Sequence, residues 1–490
     1  MKLGQLLEVV HCSYSVNNLP DIKGIAIDSR KVEQGDLFIC IRGRKEDGHR
    51  YIANALQRGA VAVLLDSKKY RTQYASQTTV IYVQDTRKVL PLLAAAFYGN
   101  PSRETELIGV TGTNGKTTVT TIACETFENL GFHPALIGTI KNCIGNQKIE
   151  IETTTATTPD CLELNKILRH CCQQKATSVW MEVSSIALKN HRCDSLDFDI
   201  GVFLNLSKEH MEDHGTMTDY FYSKSKLFTM VKKAVINRDD HYGEKLIELC
   251  KTRSVPVFTF GIGKKQTTDL SAENIKYEKN GVSFDIFYKE SCVRAKISSP
   301  CEFQIYNVLA VLSVCLLKGF SLERAVKALP EQIRVAGRYE IIQKQDSPTV
   351  IIDYAHTPDA LEKLLFSIRK SGQYQKIFTV FGCGGDRDPS KRSAMGQISQ
   401  QLSDFTVITS DNPRTEDPQL IIRDIEGGMK RSHNNFISLV DRTDAIRYAL
   451  HQAQPKDVVI IAGKGHETYQ IIGENSIYFS DKETVLRYLV

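Results

Sequence analysis

Residues 107–118 read LIGVTGTNGKTT. The first four form a strand-like apolar run, and KTTVTTIACETFENLG (116–131) has a helical pattern that stops at Gly131. A glycine-rich turn between a strand and a helix N-terminus is an anion site, because free backbone N–H groups and the helix dipole both face it. In the pattern G-x-x-x-x-G-K-[ST] the lysine reaches the β/γ-phosphates and the next hydroxyl holds Mg²⁺. Those positions are Lys116 and Thr117, followed by Thr118. Gly112 and Gly115 let the backbone curl around phosphates without Cβ clashes, and Thr113 and Asn114 complete the turn. The match is imperfect, since Val110 stands at the first glycine position and Gly109 lies one residue early. ATP binding is the reading this stretch supports.

Outward from this turn, strand-like runs alternate with amphipathic ones. AVAVLLD precedes VLPLLAAAFYG, VIIDYAH precedes PDALEKLLFSIRKSG, KIFTVFGCGG precedes MGQISQQLS, and FTVITSDNPR precedes PQLIIRDIEGGMKRS. That alternation argues α/β domains with largely parallel sheets. In such sheets ligands gather at the carboxyl ends of the strands. The polar tails DYAH, GCGGDRD, SDNPR and AGKGHE each follow a strand-like run, so they are candidates to line one rim. Polar stretches at YGNPSRETE (98–106) and LPEQIRVAGRYE (329–340) read as boundaries. They predict three domains, at about 1–99, 100–335 and 336–490.

A chain of 490 residues with a net charge of +5 and no long basic run does not read as a dedicated nucleic-acid binder. The mild basic excess suits a phosphorylated or acidic small molecule. Thirteen cysteines are scattered without a C-x-x-C pair. That spacing predicts free thiols rather than a disulfide framework or a zinc ribbon. No apolar stretch approaches the roughly 20 residues that span a bilayer. The N-terminal MKLGQLLEVV lacks a signal peptide's long apolar segment. A cytoplasmic monomer is the expectation.

Several motifs, taken in order, resemble the Mur ligase family and its MurE type. They are TGTNGKTT, TTPD (157–160), MEVSSIAL (181–188), LNLSKEHMEDHGTMTDYFYSKSKLF (204–228), GRYE (337–340), DYAHTPDAL (353–361), GCGGDRD (382–388), SDNPRTEDP (410–418) and AGKGHETYQ (462–470). DSRKVEQGDLFICIRGRKEDGH (28–49) is similar to that family's UDP-binding segment. The resemblance implies a UDP-sugar-binding N-terminal domain, a central P-loop ATPase domain and a Rossmann-like C-terminal domain, hinged so that closure excludes water. It also implies a reaction: ATP phosphorylates the carboxylate of a UDP-sugar peptide, and an incoming amine captures the acyl phosphate. The chemistry needs this activation, because a carboxylate oxygen is a poor leaving group, and the transfer itself is mostly positioning and charge neutralisation.

The resemblance also implies residue roles. Thr117, Glu182 and His210 would be Mg²⁺ ligands, with Lys224 carbamylated to bind a second Mg²⁺; Lys116, His210 and Lys224 would be catalytic. Taken alone, His210 reads as a surface histidine, and charge patterning reads Lys224 as a solvated helix lysine. ATP would also meet Asn307, Arg338 and Asp353. The UDP-sugar dipeptide would meet Ser29, Asn114, Thr157, Thr158, Ser184, Asn190 and Arg192. Taken alone, TTTATTPD reads as a strand-to-turn segment, Arg192 as a surface arginine, and Asp359 as part of an acidic first helical turn.

By the same resemblance, Arg414 in DNPR implies meso-diaminopimelate as the amine, and the physics agrees. Meso-diaminopimelate differs from lysine by one carboxylate on the distal carbon, and an arginine fork such as Arg414 can hold that carboxylate bidentately while repelling a lysine ammonium. Asp411, Asn412, Gly463 and Glu467 would hold the distal amine and acid, and Arg387 would face a carboxylate. The expected substrates are ATP, UDP-MurNAc-L-Ala-D-Glu and meso-diaminopimelate. Some positions depart from the family pattern: Ile186 stands where histidine is usual, Asn190 for glutamine, Cys301 for glycine, Gln304 for asparagine, and SKEHMEDHG for SRDHLDYHG. Alternatives left open are a related ligase with another acyl substrate or amine, lysine included, a folylpolyglutamate-type ligase, and a non-catalytic ATP-binding regulator.

Overall fold

The structure is a computed structural model that describes residues 1–14, 19–43, 46–263, 267–278 and 281–489. Residues 44–45 of the N-terminal motif lie outside them. The chain forms two compact units. The first holds Met1–Gly109, His133–Gly201 and Ser223–Lys232, and the second holds Val110–Phe132, Val202–Tyr222 and Lys233–Val490.

In the first unit a five-stranded sheet runs in the order Ser13–Tyr14, Thr79–Tyr82, Ala62–Leu65, Asp36–Ile39, Gly24–Ala26. All neighbours are parallel except the first pair. Alternate residues point to opposite faces, so Leu37, Ile39, Leu64 and Ile81 enter one core while Phe38, Val63, Leu65 and Val80 enter another. The unit also carries Pro134–Ile137 and Ser178–Glu182 in parallel, with Trp180 opposite Leu136. Helix Cys161–Gln173 starts at a capping box in which Glu163 reaches back to the Asp160 N–H at 3.2 Å. The segment 153–160 forms bends and no strand. The strand half of that reading fails because Thr157 sits at φ +66°, outside extended space.

Strand Glu106–Thr111, whose last two residues belong to the second unit, ends where the glycine turn begins, and helix Lys116–Asn129 follows in that unit. A six-stranded sheet runs in the order Glu340–Ile342, Thr349–Asp353, Val458–Ala462, Ile377–Phe381, Phe405–Ile408, Phe436–Ser438. Only the first pair is antiparallel. Val458–Ala462 is buried throughout, the continuous apolar run expected of a parallel strand covered on both faces. Ile351, Ile460, Phe381 and Ile408 pack on one face, and Ile352, Ile461, Val380 and Val407 on the other. Each such apolar side chain contributes about 1.5–3 kcal/mol by leaving water. Helix Pro358–Ser371 begins with Thr357, whose Oγ1 accepts from Ala360 N at 3.2 Å, and with Pro358 in the first turn.

The thirteen cysteines are free thiols. Among the described residues no helix is long and apolar enough to cross a membrane.

Candidate functional site

The glycine turn is tied down from within the second unit. Gly115 has φ +92°, a left-handed conformation that favours glycine, and a Cβ there would stand 2.6 Å from Asn307 Oδ1. Lys116 Nζ folds back onto the carbonyls of Gly112 (2.8 Å) and Thr113 (2.9 Å). Asn114 N donates to Asn205 Oδ1 at 2.9 Å, and Asn114 Nδ2 donates to Asp359 Oδ2 at 3.3 Å. Thr113 Oγ1 accepts from Ser207 N at 3.0 Å. Thr113, Thr117 and Thr118 are all buried. Val110 and Gly109 lie in the strand rather than the turn. A Cβ on Gly109 would press on Phe198 at 2.8 Å, so that glycine serves packing rather than phosphate. Asn307 takes Gln304, one of the departures, as its partner: Nδ2 donates to Gln304 Oε1 at 2.9 Å. Cys301, another, is fully buried before helix Glu302–Leu317.

In the first unit the structure brings together four residues expected at the sugar peptide. Thr158 Oγ1 donates to the Glu182 carbonyl at 2.9 Å and accepts from Ser184 N at 3.0 Å. Arg192 Nη1 donates to the Thr158 carbonyl at 3.0 Å, so it is a bound strut rather than a bare surface arginine. Thr157 Oγ1 lies 3.0 Å from Thr139 Oγ1, within hydrogen-bond distance. Its left-handed backbone is strained for a β-branched residue, a type of strain that concentrates at functional sites. Glu182 is 1% exposed, and both its oxygens accept from Thr139, at 2.8 and 3.0 Å. Ile186 lies in the short helix Ser185–Lys189, and Asn190 caps its end. Ser29 is buried in a short 3-10 turn of the N-terminal sheet. Lys224 is 2% exposed. The charge-pattern reading of a solvated lysine is therefore overturned: its helical face turns into the core, which local charge spacing cannot reveal.

The polar tails converge, as the strand pattern predicted. A cavity of about 400 Å³ in the second unit is lined by Tyr354 and His356, by Arg387, by Asp411, Asn412 and Arg414, and by Gly463 and Glu467. All six residues expected at the amine are among its walls. Lys208, Glu209, His210 and Glu212 line it too. Arg414 has φ +51° and donates Nη1 to the Gly385 carbonyl at 2.7 Å, so it is held in place rather than loose in solvent. Gly463 has φ +111°, and a Cβ there would sit 2.8 Å from Asp411 Oδ2. Arg387 stands 3.9 Å from Glu212. His210, Glu212 and Asp213 bring donor atoms within 4.8 Å of one another, an oxygen-rich group able to hold a divalent cation. His210 also adopts φ +56°.

Two pairings escaped the sequence reading, His356 with Glu209 and Arg442 with Asp481, while Arg338 and Asp353 were expected. His356 Nε2 meets Glu209 Oε1 at 2.6 Å. Burial opposes the charge on Glu209, yet the His356 hydrogen bond and the nearby charges of His356, His210 and Lys116 hold its carboxyl well below the usual range. Arg338 lies 4.1 Å from the centre of the Tyr354 ring, and its Nε is buried with no hydrogen-bond partner among the described residues. Asp353 accepts from Tyr339 N at 2.7 Å and Ala355 N at 2.8 Å, with burial raising its carboxyl against the pull of Arg338. Arg442 is fully buried, pairs with Asp481 at 2.7 and 2.8 Å, and donates to the carbonyls of Ser410 (3.3 Å) and Ala462 (3.0 Å). It thereby ties the two strand ends from which Asp411 and Gly463 continue. His356 sat inside a motif already noted; nothing local marks Arg442 and Asp481, 39 residues apart.

Residues 21–98 match the Mur ligase family catalytic domain, 110–315 the Mur ligase middle domain, and 337–465 the Mur ligase glutamate ligase domain. A UDP-N-acetylmuramoyl-L-alanyl-D-glutamate--2,6-diaminopimelate ligase of Clostridium botulinum is 41% identical over 99% of both chains. The protein of the same name from Alkaliphilus oremlandii is 43% identical over 99% of this chain and 98% of its own. A solved structure of a ligase of that name superposes with a TM-score of 0.69 at 30% identity, covering 100% of this chain and 99% of that one. A strand-to-helix phosphate turn, a rim of converging strand tails and similarity over nearly the full length have one common account: the chain belongs to the Mur ligase family and has its three-domain α/β architecture.

Proposed function

We propose that this chain is an ATP-dependent, ADP-forming ligase that joins meso-diaminopimelate to UDP-N-acetylmuramoyl-L-alanyl-D-glutamate in peptidoglycan biosynthesis. The observation that carries the reading is the cavity whose walls combine Arg414, Asn412 and Glu467. A guanidinium and a carboxylate on one cavity suit a terminus that is both acid and amine. The relatives bearing that activity in their names are similar over nearly the whole chain.

In this reading the triphosphate lies along Gly112–Thr118 at the N-terminus of helix Lys116–Asn129, where the dipole favours anions. Lys116 leaves its two carbonyl partners for the phosphates. Arg338, with a buried Nε that has no partner, is a further phosphate candidate, and Asn307 and Asp353 address the nucleoside. Ser29, Asn114, Thr157, Thr158, Ser184, Asn190 and Arg192 address the sugar dipeptide. The dipeptide carboxylate attacks the γ-phosphorus and ADP departs. The diaminopimelate amine then attacks the acyl carbon, and the tetrahedral intermediate expels phosphate. The amine's proton ends on that phosphate.

The family resemblance assigns Thr117, Glu182 and His210 to Mg²⁺; hydroxyl, carboxylate and imidazole are donor types that a divalent cation accepts, and Mg²⁺ would neutralise charge on transferring phosphoryl oxygens. Lys224, buried as it is, is kept in the proposal as a carbamylated lysine. Residues 1–99, 100–335 and 336–490 remain the proposed domain limits, with the protein acting as a cytoplasmic monomer.

Purified protein given ATP, the UDP-sugar dipeptide and either diaminopimelate or lysine tests the reading, with products weighed by mass spectrometry. The expected result is one amide formed per ADP with diaminopimelate and little with lysine. Absence of a diaminopimelate product, or a preference for lysine, overturns it.

A further inference from the structure

Lys464 carries a charge that the mechanism above does not use. Its side chain is fully buried, in the tail AGKGHE at the end of strand Val458–Ala462. Its Nζ donates to Asn412 Oδ1 at 3.2 Å and to Glu467 Oε2 at 3.0 Å, and lies 5.4 Å from the centre of the Tyr469 ring. A buried ammonium persists only with such partners.

The consequence runs through Asn412. Its Oδ1 also accepts from Ile471 N at 3.0 Å. An oxygen fixed by two donors settles which way the amide faces, so Nδ2 is left to donate to Glu467 Oε2 at 3.0 Å. Glu467 Oε2 is thereby engaged twice from within the protein. Its Oε1 meets the Tyr354 hydroxyl at 3.3 Å, and Asn412, Tyr354 and Glu467 all line the cavity.

We propose that Lys464 is a positioning and specificity residue for the distal end of the amine substrate. It locks Asn412 and Glu467 into one orientation and turns a single carboxylate oxygen toward the ligand. It also offsets the charge of Glu467, so the acidic wall holds a lone ammonium weakly. An end group that bears a carboxylate as well gains Arg414 on the opposite charge. The discrimination between a zwitterionic and a purely cationic terminus thus depends on a lysine that lines no part of the cavity. This inference rests on the diaminopimelate reading above.

The test is a cycle of K464M, E467Q and the double variant in the full-length protein, with steady-state constants for diaminopimelate, lysine and ATP. K464M is expected to raise KM for diaminopimelate at least tenfold, to keep KM for ATP within twofold, and to lower the preference for diaminopimelate over lysine. Because Lys464 acts through Glu467, adding K464M to E467Q is expected to change that KM less than threefold; full additivity overturns the inference. A parallel rise in the KM for ATP, or a KM for diaminopimelate within twofold of the parent, also overturns it and marks Lys464 as structural. If K464M gives no cooperative thermal unfolding, K464Q is measured against the same criteria. A parent protein that ligates no diaminopimelate removes the proposed function and this inference together, whereas an active parent with an indifferent K464M removes this inference alone.

Discussion

The glycine turn and the tail cavity, the two regions proposed above to hold substrates, are built by opposite means. Gly112–Thr118 is one contiguous stretch whose geometry is set by a strand end, a left-handed glycine and a helix start. The cavity draws on residues from 208 to 467 and exists only because four parallel strands end side by side. A contiguous site is robust to distant change and fragile to a change within it. An assembled site can be broken from well outside its walls.

The largest expected effect tests that second statement. Asp481→Ala leaves Arg442 as an uncompensated buried charge, a change that costs about 3–5 kcal/mol. A thermal melt should show a clearly lowered transition, and KM for diaminopimelate should rise more than KM for ATP, since Ser410 and Ala462 lose a fixed donor. Equal rises in both constants would erase the contrast between the regions.

Next, Lys116→Ala should lower kcat by about 10²–10³-fold, the range for losing one preorganised charge-stabilising group, with the melting transition close to the parent's. Phosphate release assays measure it, and near-parent turnover would detach the turn from the chemistry. Arg414→Ala should lower kcat/KM for diaminopimelate by about 10–10²-fold, as expected for a charged hydrogen bond of about 1.5–3 kcal/mol. Intact use of diaminopimelate would remove the guanidinium from amine recognition.

The smallest effect concerns pH. Burial, then the charge of Arg338, lowers His466 from 6.5 to about 4. Below pH 6.5 the unfolded chain takes up a proton at this position that the folded chain refuses until about pH 4. The unfolded state binds more protons in that window, so this term makes stability fall as pH drops from about 6.5 to 4. His466→Gln should flatten that part of the stability profile; an unaltered slope would mean that His466 is protonated freely in the folded state.

These contrasts also explain what could be read early. The glycine turn, the strand runs ending in DYAH, SDNPR and AGKGHE, and the acidic first helical turn at Asp359 are local patterns, and the structure keeps them. Lys224 was misjudged by charge spacing because burial depends on what packs over a helical face, not on neighbours in the chain. TTTATTPD was misjudged in part because β-branched composition favours a strand, while the left-handed Thr157 and the Thr154 N–H accepted by Glu163 at 3.0 Å hold a bend. In the sequence Cys301 and Gln304 read only as departures from the family pattern. In the fold Gln304 instead supplies a partner to Asn307.

The order of apolar runs, caps and glycines was enough by itself to determine the parallel α/β layout and the phosphate turn, because those follow from backbone sterics and periodicity over a few residues. Tertiary structure alone decided that Arg442 should brace two strand ends, that His356 should meet Glu209, and that Lys464 should fix Glu467 and Asn412. Each of the first two pairs joins groups more than 30 residues apart, and Lys464 reaches Asn412 across 52 residues. Such pairings are selected by the free energy of burying and satisfying polar groups, which no short stretch of sequence encodes.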